Sequence, residues 1–173
     1  MTTLSKVISG GQTGVDQAAL RAARACGLAR GGWCPPGRES ETGPIPADLP
    51  LTETELDRSL DAPEVPRSLR TEWNVRDSDA TLVIRPPVAR ADPGTEWALR
   101  CAARFGRAIL LCNPEDPDAA MCVNDWIRAV GIRTLNVAGP AESARPGIGA
   151  MTERVLARAF ALALDDHDGE HGR

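Results

Sequence analysis

At 173 residues the chain is long enough for one domain with a proper core, needing neither disulfides nor a metal to staple it. Its net charge of -4 argues against a general nucleic-acid binder, whose affinity rests on a basic face. No apolar run is long enough to cross a bilayer and MTTLSKV lacks the apolar stretch of a signal peptide, so a cytoplasmic protein with no membrane or nucleic-acid partner is expected. The cysteines at 26, 34, 101, 112 and 122 form no CxxC pair and no close Cys/His group, which fits reduced thiols better than a disulfide framework or a metal site. Cys26, Cys101 and Cys122 fall in helical apolar patterns and are expected in the core, and burial is also the favoured reading for Cys34.

From Leu4 to Asp16, LSKVISGGQTGVD passes from an apolar strand through a glycine turn into a helix. Val7 and Ile8 supply the strand, Gly10 and Gly11 the reversal, and Val15 to Cys26 run on at helical spacing. Such a turn leaves amides of the helix start without partners and makes a seat for phosphate or carboxylate. It is neither the P-loop pattern, since no GK[ST] follows, nor GxGxxG, because the glycines fall at 10, 11 and 14. A plain connecting turn is thus the competing reading; Gln12, Thr13 and Asp16 favour a ligand, since a Gln beside two capping residues has no evident structural use.

Further along, residues 29–34 (ARGGWC) read as a short second strand and residues 35–66, rich in proline, as a long loop serving as a lid or pocket wall. Residues 67–78 suit a helix, and ATLVI at 80–84 reads as a strand in the middle of a parallel sheet. A second loop-to-helix junction, DPGTE at 92–96, opens a helix to Phe105. A strand at 108–112, a helix at 119–130, a strand at 133–137 and an amphipathic helix at 148–164 complete the alternation. The fold class expected is α/β: a single Rossmann-like, doubly wound domain over 1–164, with a mostly parallel five-stranded sheet and helices on both faces. Ligands of such sheets sit beyond the carboxyl ends of the strands, where both glycine junctions fall. The remainder, 165–173, holds both histidines and reads as a disordered acidic tail without function.

Within RTEWNVRDSD, Arg70 and Asn74 stand four apart on one helical face and are placed at the pocket, while Glu72 and Arg76 are expected to pair. Arg38, in the loop after the second strand, is a candidate anion clamp because a guanidinium holds two oxygens at once. Trp33 and Trp73 are available to stack on a ring.

Taken together, SGGQTGVDQAAL at 9–20, GGWCPPGR at 31–38, IPADLPLTE at 45–53, RTEWNVRDSDATLVI at 70–84 and PGT at 93–95 resemble the molybdenum cofactor carrier family. That family belongs to a Rossmann-like superfamily with the "lonely guy" phosphoribohydrolases, the lysine decarboxylase-like proteins and the DNA-processing protein DprA. The resemblance implies a Rossmann-like domain that binds the pterin phosphate of molybdenum cofactor (molybdopterin) or another nucleotide-derived ligand, and that forms a homo-oligomer. It places Gly10, Gly11, Gln12, Thr13, Gly14 and Asp16 around the ligand, with Gly94 and Thr95 opposite. The chain also departs from the pattern. Carrier relatives usually show GGT with a second Thr three residues later, whereas here the run is Pro93, Gly94, Thr95, Glu96, Trp97, Ala98. The phosphoribohydrolases carry PGGxGTxxE, whose glutamate position is here Cys101, which weakens a hydrolase reading.

Two function classes follow. The first is a carrier or binding protein for a small phosphorylated pterin or nucleotide, with no metal held by protein side chains. The alternative is a nucleotide-processing enzyme cleaving an N-glycosidic bond, with Asp16 or Glu96 as acid/base or nucleophile. Because those two carboxylates double as helix-start residues, binding is placed first.

Overall fold

The structure, a computed structural model, describes residues 4–88 and 92–165. The main chain alternates as expected: β1 (Lys6–Ile8), α1 (Val15–Ala25), β2 (Ala29–Gly31), then, after the loop region, α2 (Ser68–Arg76), β7 (Ala80–Ile84), α3 (Pro93–Phe105), β8 (Ala108–Cys112), α4 (Ala119–Val130), β9 (Thr134–Ala138) and α5 (Ile148–Asp165). The tail expected over 165–173 lies outside the described residues apart from Asp165, which is the last residue of α5. Every pairing in the five-stranded sheet is parallel. Helices α1, α4 and α5 cover one face over a core that includes Val15, Leu82, Ile127, Leu135, Leu156 and Phe160. Helices α2 and α3 cover the other, around Val75, Trp97, Ala98 and Cys101. Burial on both faces is why ATLVI needs no alternation of polar and apolar residues: all five are buried.

The strand order is β2-β1-β9-β7-β8. Counted from β9, through α5 and onward to β1, the same sheet reads 3-2-1-4-5, the first five strands of the doubly wound nucleotide-binding order. The chain is therefore a circular permutation of that arrangement, with its last strand in the place of the first. The consequence for function is positional. The helices that follow β9 and β1 lie on one face and the helix that follows β7 lies on the other, so the crevice opens between the carboxyl ends of β9 and β7.

The expected second strand over 29–34 is two strands. Gly32, at φ +125°, turns the chain between β2 and β3 (Trp33–Cys34), and a Cβ there would fall 2.3 Å from the Ser9 carbonyl oxygen. β3 pairs instead with β6 (Thr52–Glu53), away from the main sheet, and a small hairpin of β4 (Glu39–Ser40) and β5 (Gly43–Pro44) lies between them. The long loop is anchored from below by its own small core: Ile45, Leu49 and Leu51 pack with Cys34 on Leu20 of α1. It is anchored from within by Arg38, whose guanidinium donates to the carbonyl oxygens of Leu51 (2.9 Å), Leu49 (3.0 Å) and Pro46 (3.1 Å). A segment held this way is fixed in place and not a free lid. Cys34 is fully buried and Cys101 buried, as expected, but Cys122 is exposed on α4 and not in the core.

Candidate functional site

A cavity of about 860 Å³ occupies the crevice between β9 and β7. Its walls come from four loops and the floor from β9. The turn after β1 contributes Gly10, Gln12 and Asp16; the end of the long loop and the first turns of α2 contribute Val65, Pro66, Arg67, Arg70, Thr71 and Asn74. The junction after β7 contributes Pro86, Val88 and residues 92–95, and the segment from Asn136 through Arg145 closes the remaining side. Both glycine junctions thus meet at one crevice, with Gly94 and Thr95 facing Gly10, Gln12 and Asp16 across it, as the sequence led us to expect.

At the centre of the first wall is a buried ion pair. Arg70 Nη1 lies 3.1 Å from Asp16 Oδ2, with side-chain exposures of 16% and 4%. Gly10 makes room for it: a Cβ at that position would stand 1.8 Å from Arg70 Nη1. Asp16 Oδ2 also accepts the Gln12 amide at 3.2 Å. Burial pushes the Asp16 carboxyl above its usual range, against the opposing pull of Arg70 and of the Gln12 amide. Arg70 Nε is buried without a partner among the described residues. Three residues earlier, Arg67, the residue just before α2, stands in the left-handed region at φ 58°, its amide donating to Asp57 Oδ2 at 3.2 Å. Its guanidinium lines the cavity and makes no hydrogen bond or short ion pair among the described residues; at longer range it joins the Ser143 and Thr13 hydroxyls, whose hydrogen bonds count for more, in holding the Glu41 carboxyl below its usual range. A bulky side chain held at positive φ on a cavity wall is the kind of strain that clusters at ligand sites.

The amides of the helix starts are less open than the sequence suggests. Gln12 N donates to Asp16, Thr13 N to Gln12 Oε1 (3.0 Å) and Val15 N to the Pro140 carbonyl (3.2 Å). At α3, Asp92 caps the helix by accepting from Thr95 N (3.1 Å) and Gly94 N (3.4 Å), and Thr95 Oγ1 donates to it at 2.9 Å. Gln12 therefore has a structural use after all, since its Oε1 also accepts the Glu41 amide at 3.0 Å. Thr13 Oγ1 donates to Glu41 and accepts the Glu142 amide at 3.3 Å, so Thr13 ties loops together behind the cavity. Gly11 faces Ile45 and Leu51, and Gly14 faces the backbone of 140–142; with Thr13 they are absent from the cavity lining. What these residues do is fix the turn. With those amides bonded, the cations Arg67 and Arg70 are the main thing the cavity offers an anion.

Other expectations are corrected by the geometry. Arg38 spends its guanidinium on three carbonyls and does not line the cavity, so it is a loop clamp and no anion clamp here. Asn74 lines the cavity, but its amide is paired with the Trp33 backbone, Nδ2 to the carbonyl at 2.9 Å and Oδ1 from the amide at 2.8 Å. Trp33 and Trp73 stack on each other edge to face at 4.7 Å, outside the lining. Arg76 bonds to Asp77 at 2.7 Å and holds that carboxyl below its usual range, while Glu72 accepts from Ser59, so the Glu72–Arg76 pair is not formed. Glu96 pairs loosely with Arg85 at 3.8 Å and is absent from the lining, leaving Asp16 as the one of the two carboxylates named for chemistry that reaches the cavity.

Arg67 and the loop of residues 138–145 were not picked out from the sequence. The signal that could have found the loop is NVAGPAE at 136–142, a glycine-proline turn after a strand and before a helix. Arg145 of this loop is held by Glu115 at 2.5 Å, and Glu142 accepts from Gly147 N (2.5 Å) and Gly149 N (2.9 Å), which shapes the turn into α5.

Comparison with known proteins agrees with this architecture. No curated protein sequence matches the chain. Among solved structures, the chain is similar to one from Syntrophus aciditrophicus described as "Putative molybdenum carrier protein", with 34% identity, a TM-score of 0.79, and coverage of 92% of this chain and 96% of that one. The model of the circularly permuted YpsA SLOG family matches residues 7–160, in keeping with the sheet order. These findings support a carrier or binding role. The chain belongs to the circularly permuted YpsA SLOG family.

Proposed function

We propose that the protein is a carrier for molybdenum cofactor, holding the phosphate of the molybdopterin between Arg67 and Arg70 with its pterin deeper in the crevice. The observation that carries this reading is an arginine, Arg67, lining the cavity with its guanidinium in no hydrogen bond or short ion pair among the described residues, beside a second arginine only half spent on Asp16. Two forked cations in a partly enclosed site match a phosphate better than any neutral group. The cavity, at about 860 Å³, is within the range of sites for small organic ligands. The likeness to a structure named for molybdenum carriage supplies the choice of cargo.

The test is retention of molybdopterin released from a molybdoenzyme, measured by equilibrium dialysis and the fluorescence of the oxidised pterin. Wild-type protein is expected to retain one pterin per chain, and Arg67→Ala to weaken retention by roughly 10-fold or more, the loss of one charge-assisted contact. Failure of the wild type to retain molybdopterin would overturn the carrier reading.

A further inference from the structure

The floor of the cavity carries a polar group that a phosphate does not use. Strand β9 reads TLNVA; Leu135 and Val137 are buried apolar residues, as a central parallel strand requires, and Asn136 stands between them at 3% exposure. A carboxamide in that position is costly unless both its ends are bonded. Asn136 Nδ2 donates to Thr81 Oγ1 on the adjacent β7 at 3.2 Å. Asn136 Oδ1 has no partner among the described residues. Nor is it sealed away: the sealed, unpartnered side-chain atoms among those residues are Arg30 Nη1, Arg70 Nε and Thr152 Oγ1. Asn136 lines the cavity, which is the open space beside its unsealed carboxamide.

We propose that Asn136 Oδ1 is a specificity-determining acceptor that reads a ring N–H or amino group, making the site selective for a phosphorylated nitrogen heterocycle over a phosphorylated sugar. The inference rests on the phosphate-binding reading above and deepens it. Phosphate contacts to Arg67 and Arg70 are common to every phosphorylated ligand and cannot discriminate among them. Asn136 approaches from the sheet, and the arginines from the start of α2. A ligand that spans both must carry an anion at one end and a hydrogen-bond donor at the other. The 2-amino-4-oxopyrimidine edge shared by pterins and guanine presents such donors. A ligand lacking them would bury the Asn136 oxygen without a partner, which is the strongest form of discrimination a polar site has.

The experiment is isothermal titration of wild type, Asn136→Leu and Asn136→Ser with GMP and with ribose 5-phosphate as probes, the fold of each variant being checked by circular dichroism. Wild type is expected to bind GMP at least ~10-fold more tightly than ribose 5-phosphate. In Asn136→Leu that ratio should fall to near one while ribose 5-phosphate affinity stays unchanged; Asn136→Ser, which withdraws the oxygen from the cavity with little change in polarity, should do the same and serves if the leucine variant does not fold. A wild type without preference for GMP, or a variant that keeps the preference, would overturn the inference whether or not molybdopterin is retained. Failure to retain molybdopterin is the separate result that removes the carrier reading.

Discussion

Replacing Arg70 by alanine is expected to destabilise the protein by about 3–5 kcal/mol at pH 7, because it strands the Asp16 carboxylate in a buried site. Asp16 is 4% exposed at the side chain and Arg70 is its one cationic partner within ion-pair distance among the described residues. Burial already holds the Asp16 carboxyl above its usual range, with Arg70 the foremost influence in the other direction. A carboxyl whose folded pKa is raised binds its proton more readily in the folded state. Its contribution to stability is thus present below the ordinary carboxylate range and lost as pH rises through the raised folded value. Removing Arg70 raises that value further. The deficit of Arg70→Ala against wild type should therefore shrink as pH falls from 7 towards 4, and adding Asp16→Asn should recover most of it at pH 7. Urea unfolding followed by tryptophan fluorescence measures both effects; a deficit that does not change with pH would show that Asp16 is not the group left stranded.

Gly14→Ala is the second substitution with a large expected cost, about 3 kcal/mol or more. Gly14 sits at φ 78°, ψ -123°, a region closed to residues with a Cβ. Conformation is only part of the cost. A Cβ would lie 2.6 Å from both the Pro140 carbonyl oxygen and the Glu142 amide nitrogen, backbone atoms that cannot rotate away. The alanine must push the loop after β9 off the start of α1, breaking the bond from Val15 N to Pro140 and that from Glu142 N to Thr13. Gly27 is the control. It has φ +71° but nothing within 4 Å of a Cβ, so Gly27→Ala should cost only the backbone share, about 1 kcal/mol. Thermal unfolding of the two variants separates the contributions, and equal losses would mean that the contact between the loops adds nothing.

The contrast between these glycines shows what the sequence could and could not reveal. Strands such as ATLVI and helices opened by DPGTE are local patterns, and their bounds in the structure differ from expectation by only a residue or two. The α/β class followed from their alternation. The order of the strands did not, because nothing in TLNVA says that β9 will insert between β1 and β7. That one fact moved a third loop, residues 138–145, into the site and made Asn136 its floor. The chemistry of individual arginines was equally hidden. Arg38 and Arg70 are alike in the sequence, yet one is spent on the carbonyls of residues 46–51 and the other on a carboxylate 54 residues away. Three of the expected bare amides of the turn were filled, those of Gln12 and Thr13 by side chains from within the turn and that of Val15 by a main-chain carbonyl more than a hundred positions distant. A glycine-rich turn announces close approach; it does not announce what approaches.

Everything functional here depends on the crevice between β9 and β7 being where a phosphorylated ligand is held. Titrating nitrogen-15-labelled protein with molybdopterin and following backbone amide shifts tests that most directly. The largest shifts should fall on residues 10–16, 66–71, 94–95 and 136–145, with the β8 edge and the outer faces of α4 and α5 unmoved. Saturable shifts confined to any other surface, with these four segments silent, would contradict the account.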